Sequence, residues 1–480
     1  MSRKEKTIFF TGILFVSILL VVSQFVLYSK GFYSLSADEA GHTLEAFKWF
    51  RGQASVFSIW LPFQKILYGL FFNVCYNLFW VPRILSSFFG LLTLLSLVFL
   101  TSELFQNKII SILAGFLASI FSCLVIFSVI PMTEIYFFFF VITSIAFLLH
   151  WKRTKNFVSL LFTIIFTSLG TTTRYEAWLF SAIIFLVIVI DLYSASGKLQ
   201  YRFFKVFGIF ILLFAFPVYW IYLSYSTSGQ LTSFLSSVAG RYSPGGIIAE
   251  VRNNILYNFF VINLSSLNIL GLLTLLFFIK KEPHVKTYAA IFFITLIGMS
   301  LITFFTKAMP THHAWRLASI WSIMLIPFTA QWLYILLSDE KLFLKYNFVL
   351  FAIILLYFFN LQTVNYSSAS FITKEDLTIG KYINSSLKFK NPNSKIYVER
   401  NGWDYTSLLV TSQEPDRFIT KSHFGDTNIY SDSTGGKQAV NYNVPDVEYL
   451  ILKPKTQLNI DTTNLMEIKK YNKWVIYKSN

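Results

Sequence analysis

The run Ile8–Tyr28, IFFTGILFVSILLVVSQFVLY, leads through SKGFYSLS into Ala37-Asp38-Glu39-Ala40-Gly41-His42. A basic N-terminus, Met1–Lys6, precedes it. An uncharged apolar run of this length fits a transmembrane helix, which needs about 20 residues. The basic flank and Ser34-Leu35-Ser36-Ala37 loosely imitate a secretory signal. The run is longer than a signal core and many more follow, so it reads as an uncleaved first span. Charge arrives only where the run ends, at a membrane edge.

Composition agrees. Of 480 residues 55% are hydrophobic, 19% aromatic and only 13% charged, about half the charge of a soluble protein. The net charge of +16 forms no compact patch. Lys and Arg sit at the ends of apolar runs, as the positive-inside rule expects, so nucleic-acid binding is not predicted. Cys75 and Cys123 are too few for a disulfide framework and match no metal motif.

Further spanning runs lie near Pro82–Leu104, Ile109–Ile130, Ile135–Trp151, Phe157–Thr171, Ala177–Tyr193, Phe204–Tyr225, Phe259–Ile279, Tyr288–Phe305, Leu317–Leu337 and Phe343–Leu361. With the N-terminus inside, cytoplasmic connections are short and basic: Lys108; Lys152, Arg153 and Lys155; Lys198, Arg202 and Lys205; Lys280, Lys281 and Lys286; Lys341 and Lys345. The C-terminus then falls outside. The predicted class is an α-helical polytopic membrane protein of about 11 transmembrane helices with a small C-terminal α/β soluble domain. Residues 1–362 form the membrane domain, including a long first external loop, 29–81, helical after Ala37. Residues 363–480 form an extracytoplasmic domain with a helix over Leu377–Leu387 and strands over Lys395–Glu399, Val447–Lys453 and Trp474–Lys478. A polar stretch, His423–Asn443, interrupts it, and a second long loop, Ser226–Asn258, contains Arg241-Tyr242-Ser243-Pro244-Gly245-Gly246.

Ionisable residues beside lipid are costly and mark sites. Outside, Asp38, Glu39, Glu45, Glu134 and Glu176 fall at or near membrane-edge turns, with Lys65, Arg83, Arg174, Lys307, Arg316, His42, His312 and His313 on the same face. A helix after Ala37 puts Asp38, His42, Glu45 and Trp49 on one side. The bland reading is an interfacial helix whose first-turn acids suit the dipole. The other is a carboxylate meeting a lipid headgroup. Thr173-Arg174-Tyr175-Glu176 poses an interfacial anchor against a phosphate site. Pro310-Thr311-His312-His313-Ala314-Trp315-Arg316 poses the same choice. Adjacent histidines on a helix point apart, so one histidine bonding phosphate or carboxylate is preferred to a ligand pair. Glu134, in Pro131-Met132-Thr133-Glu134, also suits a helix start.

In this order the pieces resemble the GT-C superfamily of membrane glycosyltransferases, in particular the family 39 type that includes protein O-mannosyltransferases and the lipid A aminoarabinose transferase. The likeness rests on Asp38-Glu39 after the first span, Trp60-Leu61-Pro62-Phe63, Val81-Pro82-Arg83, Pro131-Met132-Thr133-Glu134, Thr173-Arg174-Tyr175-Glu176 and the external C-terminal domain. It covers the first two hundred residues well and the rest in layout. Members often carry Pro-Pro in the first loop; here Pro62 stands alone, with Lys65 nearby.

The resemblance implies a polyprenyl-phosphate sugar as donor and transfer to a lipid, glycan or protein hydroxyl at the extracytoplasmic face of a prokaryotic plasma membrane. Membrane lipids are its surroundings. Asp38 is then the base, Glu39 orients or shares that site, and Arg83, Arg174, Arg316, Lys65 and His312 face the donor phosphate. His42, Glu134, Glu176 and His313 support them. No cofactor is required. Glu134 or Glu39 with His312 could imitate the ligands of metal-bearing members, and a divalent metal is compatible with the chain but not predicted. The rival reading is a transporter or flippase, which calls for midplane charges or broken helices. Glu103 and Asp191 lie near cytoplasmic ends instead.

Overall fold

The computed structural model describes residues 3–194, 199–230, 254–306, 314–338, 348, 351–356, 371–391, 393–399, 403–419, 447–454 and 465–479. Its helices are α1 (Arg3–Ser29), α2 (Asp38–Phe50), α3 (Pro62–Val74), α4 (Trp80–Phe105), α5 (Lys108–Ile120), α6 (Ser122–Val129), α7 (Thr133–Thr154), α8 (Phe157–Thr171) and α9 (Glu176–Ser194). Then come α10 (Leu199–Ser228), α11 (Ile255–Ser265), α12 (Ile269–Phe278), α13 (Pro283–Thr306), α14 (Ala314–Ser338), α15 (Lys374–Ser386) and α16 (Tyr405–Thr411). The strands are β1 (Lys395–Val398), β2 (Phe418–Ile419), β3 (Val447–Leu452), β4 (Leu465–Lys470) and β5 (Val475–Ser479). Two compact units result: Met1–Lys30, Gly52–Leu67 and Arg83–Asn365 in one, Gly31–Arg51, Tyr68–Pro82 and Tyr366–Asn480 in the other.

The first unit makes the chain an integral multi-pass membrane protein. Among the described residues, seven helices are long and apolar enough to cross a bilayer: α1, α4, α7, α9, α10, α13 and α14. Two bent pairs raise this to nine, and α8 is apolar but short. The eleventh expected span, Phe343–Leu361, falls largely outside the described residues. Helices α7 and α14 are the most enclosed, while α1 and α10 turn large apolar side chains such as Phe15, Phe25, Phe204 and Phe207 outward. Short turns join neighbours by a repeated device. Gln106 and Lys155 take positive φ (52° and 54°), and the next residue, Asn107 or Asn156, caps the following helix through its side chain. Such a turn reverses the chain without glycine.

Two expected spans are not straight. Ile109–Ile130 bends by 59° between α5 and α6, where Phe121 is extended. Phe259–Ile279 breaks by 102° between α11 and α12, with Leu267 at φ 56°. The break is held from α14. Asn268 Nδ2 donates to Asn263 Oδ1 (2.7 Å) and to the Ser322 carbonyl (2.8 Å), and its Oδ1 accepts from Thr329 Oγ1 (2.5 Å). Asn263 Nδ2 in turn donates to Ser322 Oγ at 2.9 Å. In lipid, backbone freed by a helix break needs partners from protein. Gly271 is required beside it: a Cβ there would lie 2.5 Å from Thr329 Oγ1 and 2.7 Å from the Leu325 carbonyl.

The second unit is a five-stranded sheet, β2-β1-β3-β5-β4, with helices α15 and α16. β1 runs parallel to β2 and β3; β5 is antiparallel to β3 and β4. The apolar faces of Ile396, Val398, Ile451 and Ile476 bury against Ile379 and Leu408. A Thr373–Asp376 capping box starts α15. Gly380 lets α15 approach α16, since a Cβ there would meet the Thr411 carbonyl carbon at 2.5 Å. The segments following α1 and α3 are tied into the same unit. Ile372 N donates to Ser34 Oγ (2.6 Å), Tyr76 OH to the Gln413 carbonyl (2.8 Å), and Arg51 pairs with Asp416 (3.4 Å). Burial pushes the Tyr76 phenol up to about 12, so it stays a donor. The three expected strands and one helix are present within a residue or a few of their anticipated ends. The helix α16 and the strands β2 and β4 were not anticipated, and His423–Asn443 lies outside the described residues.

Asn268→Ala should remove the donor to Asn263 Oδ1 and the Ser322 carbonyl and the shortest acceptor of Thr329 Oγ1, costing about 1–3 kcal/mol. Thermal unfolding of the detergent-solubilised protein should show a drop of several degrees; an unchanged midpoint would mean the knot does not hold the break.

Candidate active site

In the second unit, Asp38 and Glu39 open α2, but their side chains do different things. Glu39 is fully buried and reaches backward. Its carboxylate accepts from Leu35 N (2.6 Å), Ser36 N (3.0 Å) and Ser36 Oγ (2.9 Å). Ser36 Oγ accepts in turn from Asp38 N at 3.2 Å. This closes the segment after α1 onto the helix start: Glu39 satisfies the Leu35 and Ser36 amides of the approach, and Ser36 Oγ satisfies Asp38 N, one of the amides a helix leaves open. Asp38 is half-buried, with its backbone fixed by that knot. His42 is buried one turn on, and Glu45 is half-buried.

In the first unit, four charged side chains form one buried chain of ion pairs. Arg174 grips Glu176 in two places, Nη2 to Oε1 at 2.8 Å and Nε to Oε2 at 3.2 Å. Its Nη1 donates to Glu134 Oε1 (2.8 Å) and Thr133 Oγ1 (3.0 Å). Arg316 Nε reaches the same Glu134 oxygen at 2.6 Å. All four residues are at most 7% exposed. Glu134 and Glu176 occupy the first turns of α7 and α9, where the helix dipole favours a carboxylate. Arg316 lies in the first turn of α14, where a cation is disfavoured until Glu134 offsets it. Two arginines against two glutamates sum to no net charge, which suits burial. A phosphate reaching Arg174 must compete with two carboxylates already bonded to it.

Lys65 and Arg83 are also buried cations among the described residues. Arg83 lies in the first turn of α4, 1% exposed. Lys65, on α3, donates to Ser58 Oγ (3.0 Å) and the Val56 carbonyl (3.3 Å). The start of α3 is pinned to the turns that carry the ion pairs: Gln64 Nε2 donates to the Pro131 carbonyl (2.8 Å) and Phe63 N to the Thr172 carbonyl (3.1 Å). Tyr175, between Arg174 and Glu176, donates to the Ile59 carbonyl (3.0 Å) and accepts from Trp220 Nε1 (3.3 Å). Burial raises its phenol well above the usual range, so it remains protonated. Tyr175, Trp220, Gln64 and Ser58 were missed in the sequence; only Tyr175, flanked by two candidates, carried a signal. His312, His313, Lys307 and Arg241 with its glycines lie outside the described residues.

At the other helix ends, Glu103 pairs with Arg153 (2.7 Å) and His150 (3.1 Å), and Asp191 pairs with Lys152 and Lys155. Those acids are neutralised away from the candidate site. Among the described residues, no group of three His, Cys, Asp or Glu side chains is gathered to hold a metal ion.

Glu134→Gln should leave Arg174 and Arg316 sharing a neutral amide and destabilise the protein by about 3–5 kcal/mol. Adding Arg316→Met should recover part of the loss, read as thermal midpoints in one detergent. Equal midpoints for wild type and Glu134→Gln would show the pairs to be energetically idle.

No protein-family model and no curated protein matches the chain in sequence. Solved structures do match in fold. ArnT from Cupriavidus metallidurans in the apo state aligns with a TM-score of 0.62 at 10% identity, covering 97% of each chain. The same protein bound to undecaprenyl phosphate aligns at 0.64 and 11%, again over 97% of each. The archaeal oligosaccharyltransferase AglB from Archaeoglobus fulgidus, in complex with an inhibitory peptide and a dolichol-phosphate, aligns at 0.52 and 12%, covering 94% of this chain and 70% of that one. The chain shares its fold with ArnT over 97% of each chain.

Proposed function

We propose that this protein is a membrane glycosyltransferase that moves a sugar from a polyprenyl-phosphate carrier to an acceptor hydroxyl. One observation carries the reading: a GT-C-type fold spanning 97% of both chains, in a chain whose first helix is followed at once by a half-buried aspartate on a locked helix start. In support, the neighbours' structures hold undecaprenyl phosphate and dolichol-phosphate.

The chemistry follows from the residues. The acceptor oxygen attacks the anomeric carbon as its proton passes to a carboxylate. The bond from that carbon to the phosphate oxygen breaks, and polyprenyl phosphate leaves with the electron pair. A single displacement inverts the anomeric centre. Asp38 is the proposed base, because Glu39 already spends both oxygens on Leu35 and Ser36. Glu39 is the positioning group, with His42 beside it. Fixed cations stabilise the leaving phosphate. Lys65 and Arg83 are proposed as its first partners, with His312 and His313 as further candidates. Arg174 and Arg316 are cations held in place by Glu134 and Glu176, and join the phosphate only as those acids yield. No step requires a metal. The acceptor is a lipid, glycan or protein hydroxyl, and the reaction belongs at the extracytoplasmic face of a prokaryotic plasma membrane.

One observation favours the transporter alternative, the break between α11 and α12, since broken spans build transport sites. Here the amides at the break bond to each other and to α14, which favours a structural joint.

Asp38→Asn preserves shape but not basicity, so transfer by the purified protein should fall about 10²–10⁴-fold at unchanged protein level. Glu39→Gln should lower the thermal midpoint more than Asp38→Asn does. Near-normal turnover in Asp38→Asn would remove it as base. Orientation is tested separately. A cysteine at Asn393 should label from outside intact cells while one at Thr154 should not, and the reverse pattern would invert the scheme.

A further inference from the structure

The first turn of α3 reaches two turns of the first unit that lie far away in sequence. Phe63 N, an amide of the kind a helix start leaves open, donates to the Thr172 carbonyl at 3.1 Å. Thr172 caps the end of α8 and stands two residues before Arg174. Gln64, 2% exposed, donates through Nε2 to the Pro131 carbonyl at 2.8 Å. Pro131 stands three residues before Glu134. The ring of Phe63 also packs on Tyr136 and Phe140, with ring centres 5.7 and 5.0 Å apart, which sets this turn against the helix that carries Glu134.

Two neighbouring residues of α3 thus hold the two segments whose charges meet at Glu134 Oε1. They do so by different means. The Phe63 bond is backbone, and any residue except proline supplies it. The Gln64 bond needs a side-chain donor of that reach in a buried place. Between Pro131 and Glu134 stand only Met132, which is extended (φ −110°, ψ 155°), and Thr133, the first residue of α7. That leaves little slack, so moving the Pro131 carbonyl moves the start of α7. Glu134 Oε1 then shifts against Arg174 (2.8 Å) and Arg316 (2.6 Å) together, because both bond to it. Such bonds weaken steeply as they lose alignment.

We propose that Gln64 is a positioning residue for the leaving phosphate: by holding the Pro131 carbonyl it places Glu134, and through Glu134 it sets the guanidinium groups of Arg174 and Arg316. The proposal rests on the reading of those arginines as partners of a polyprenyl phosphate. It goes beyond that reading by assigning their placement to a neutral amide on another helix. Charge builds on the phosphate as its bond to the anomeric carbon breaks, so misplaced cations lower kcat more than they weaken donor binding.

The test uses the full chain in lipid nanodiscs with a polyprenyl-phosphate sugar, reading kcat, donor KM and thermal midpoint for each variant. Gln64→Met keeps the length and removes the donor. Its kcat should fall about 10- to 100-fold while donor KM changes by less than about threefold. Gln64→Glu keeps a side-chain oxygen and donates only when protonated, so its turnover relative to wild type should rise as pH falls from about 8 to about 6. Ser96→Ala is the control for a lost buried bond between helices, since Ser96 Oγ meets Thr143 Oγ1 at 2.7 Å between α4 and α7. It should lower the midpoint and leave kcat at the wild-type value. Wild-type kcat in Gln64→Met would overturn the role and leave the glycosyltransferase reading standing. So would a kcat loss in Gln64→Met no larger than that in Ser96→Ala, or Gln64→Glu as slow as Gln64→Met at pH of about 6. A wild type that transfers no sugar from any polyprenyl-phosphate donor would overturn the glycosyltransferase reading and, with it, this role.

Discussion

Glu134 Oε1 accepts from Arg174 and Arg316 at once, at 2.8 and 2.6 Å, and the architecture of the first unit turns on that shared oxygen. Three helices begin at this point: α7 with Glu134, α9 with Glu176 just after Arg174, and α14 with Arg316. Packing apolar helices in lipid gains little from the hydrophobic effect, because lipid tails are as apolar as the side chains. Pairs that cannot separate without stranding a buried charge are therefore a strong means of holding helix ends in register. The same charges are what a phosphate-handling enzyme needs near its leaving group. One network thus fixes geometry with its charges in balance; under the proposed function the same arginines stand near the leaving phosphate.

The opposite end of the same helices follows a cheaper rule. Buried Glu103 and half-buried Asp191 meet Arg153, His150, Lys152 and Lys155 near the helix termini, and these partly exposed cations let water soften the pairs. The starts of α7 and α9 thus carry a fully buried quartet, whereas the pairs at their other ends have partly exposed cations.

Much of this was legible in the chain. The spans declare themselves by apolarity, and the turns at Gln106-Asn107 and Lys155-Asn156 fall where runs end. Arg174, Glu176, Glu134 and Arg316 each stood out as charges beside lipid. That they form a single network was not legible, because Glu134 and Arg316 are 182 positions apart and no local pattern links them. The break at Leu267 was hidden for the same reason. The stretch Asn263-Leu264-Ser265-Ser266-Leu267-Asn268 contains neither proline nor glycine, and its cause lies in Ser322 and Thr329 on another helix. Glu39 stood out as an acid beside the first span, but that its carboxylate is filled by Leu35 N, Ser36 N and Ser36 Oγ of its own segment was not legible, because nothing in the local pattern fixes that backward turn. Asp38 is left beside it, half-exposed and fixed.

The most direct measurement is the anomeric configuration of the transferred sugar. The purified protein would be given polyprenyl-phosphate sugars of known configuration and an acceptor extract, and the product linkage read by proton coupling constants. A single displacement assisted by Asp38 predicts inversion at the anomeric carbon, with one free polyprenyl phosphate released per sugar transferred. Retention of configuration, or transfer without release of polyprenyl phosphate, would contradict it.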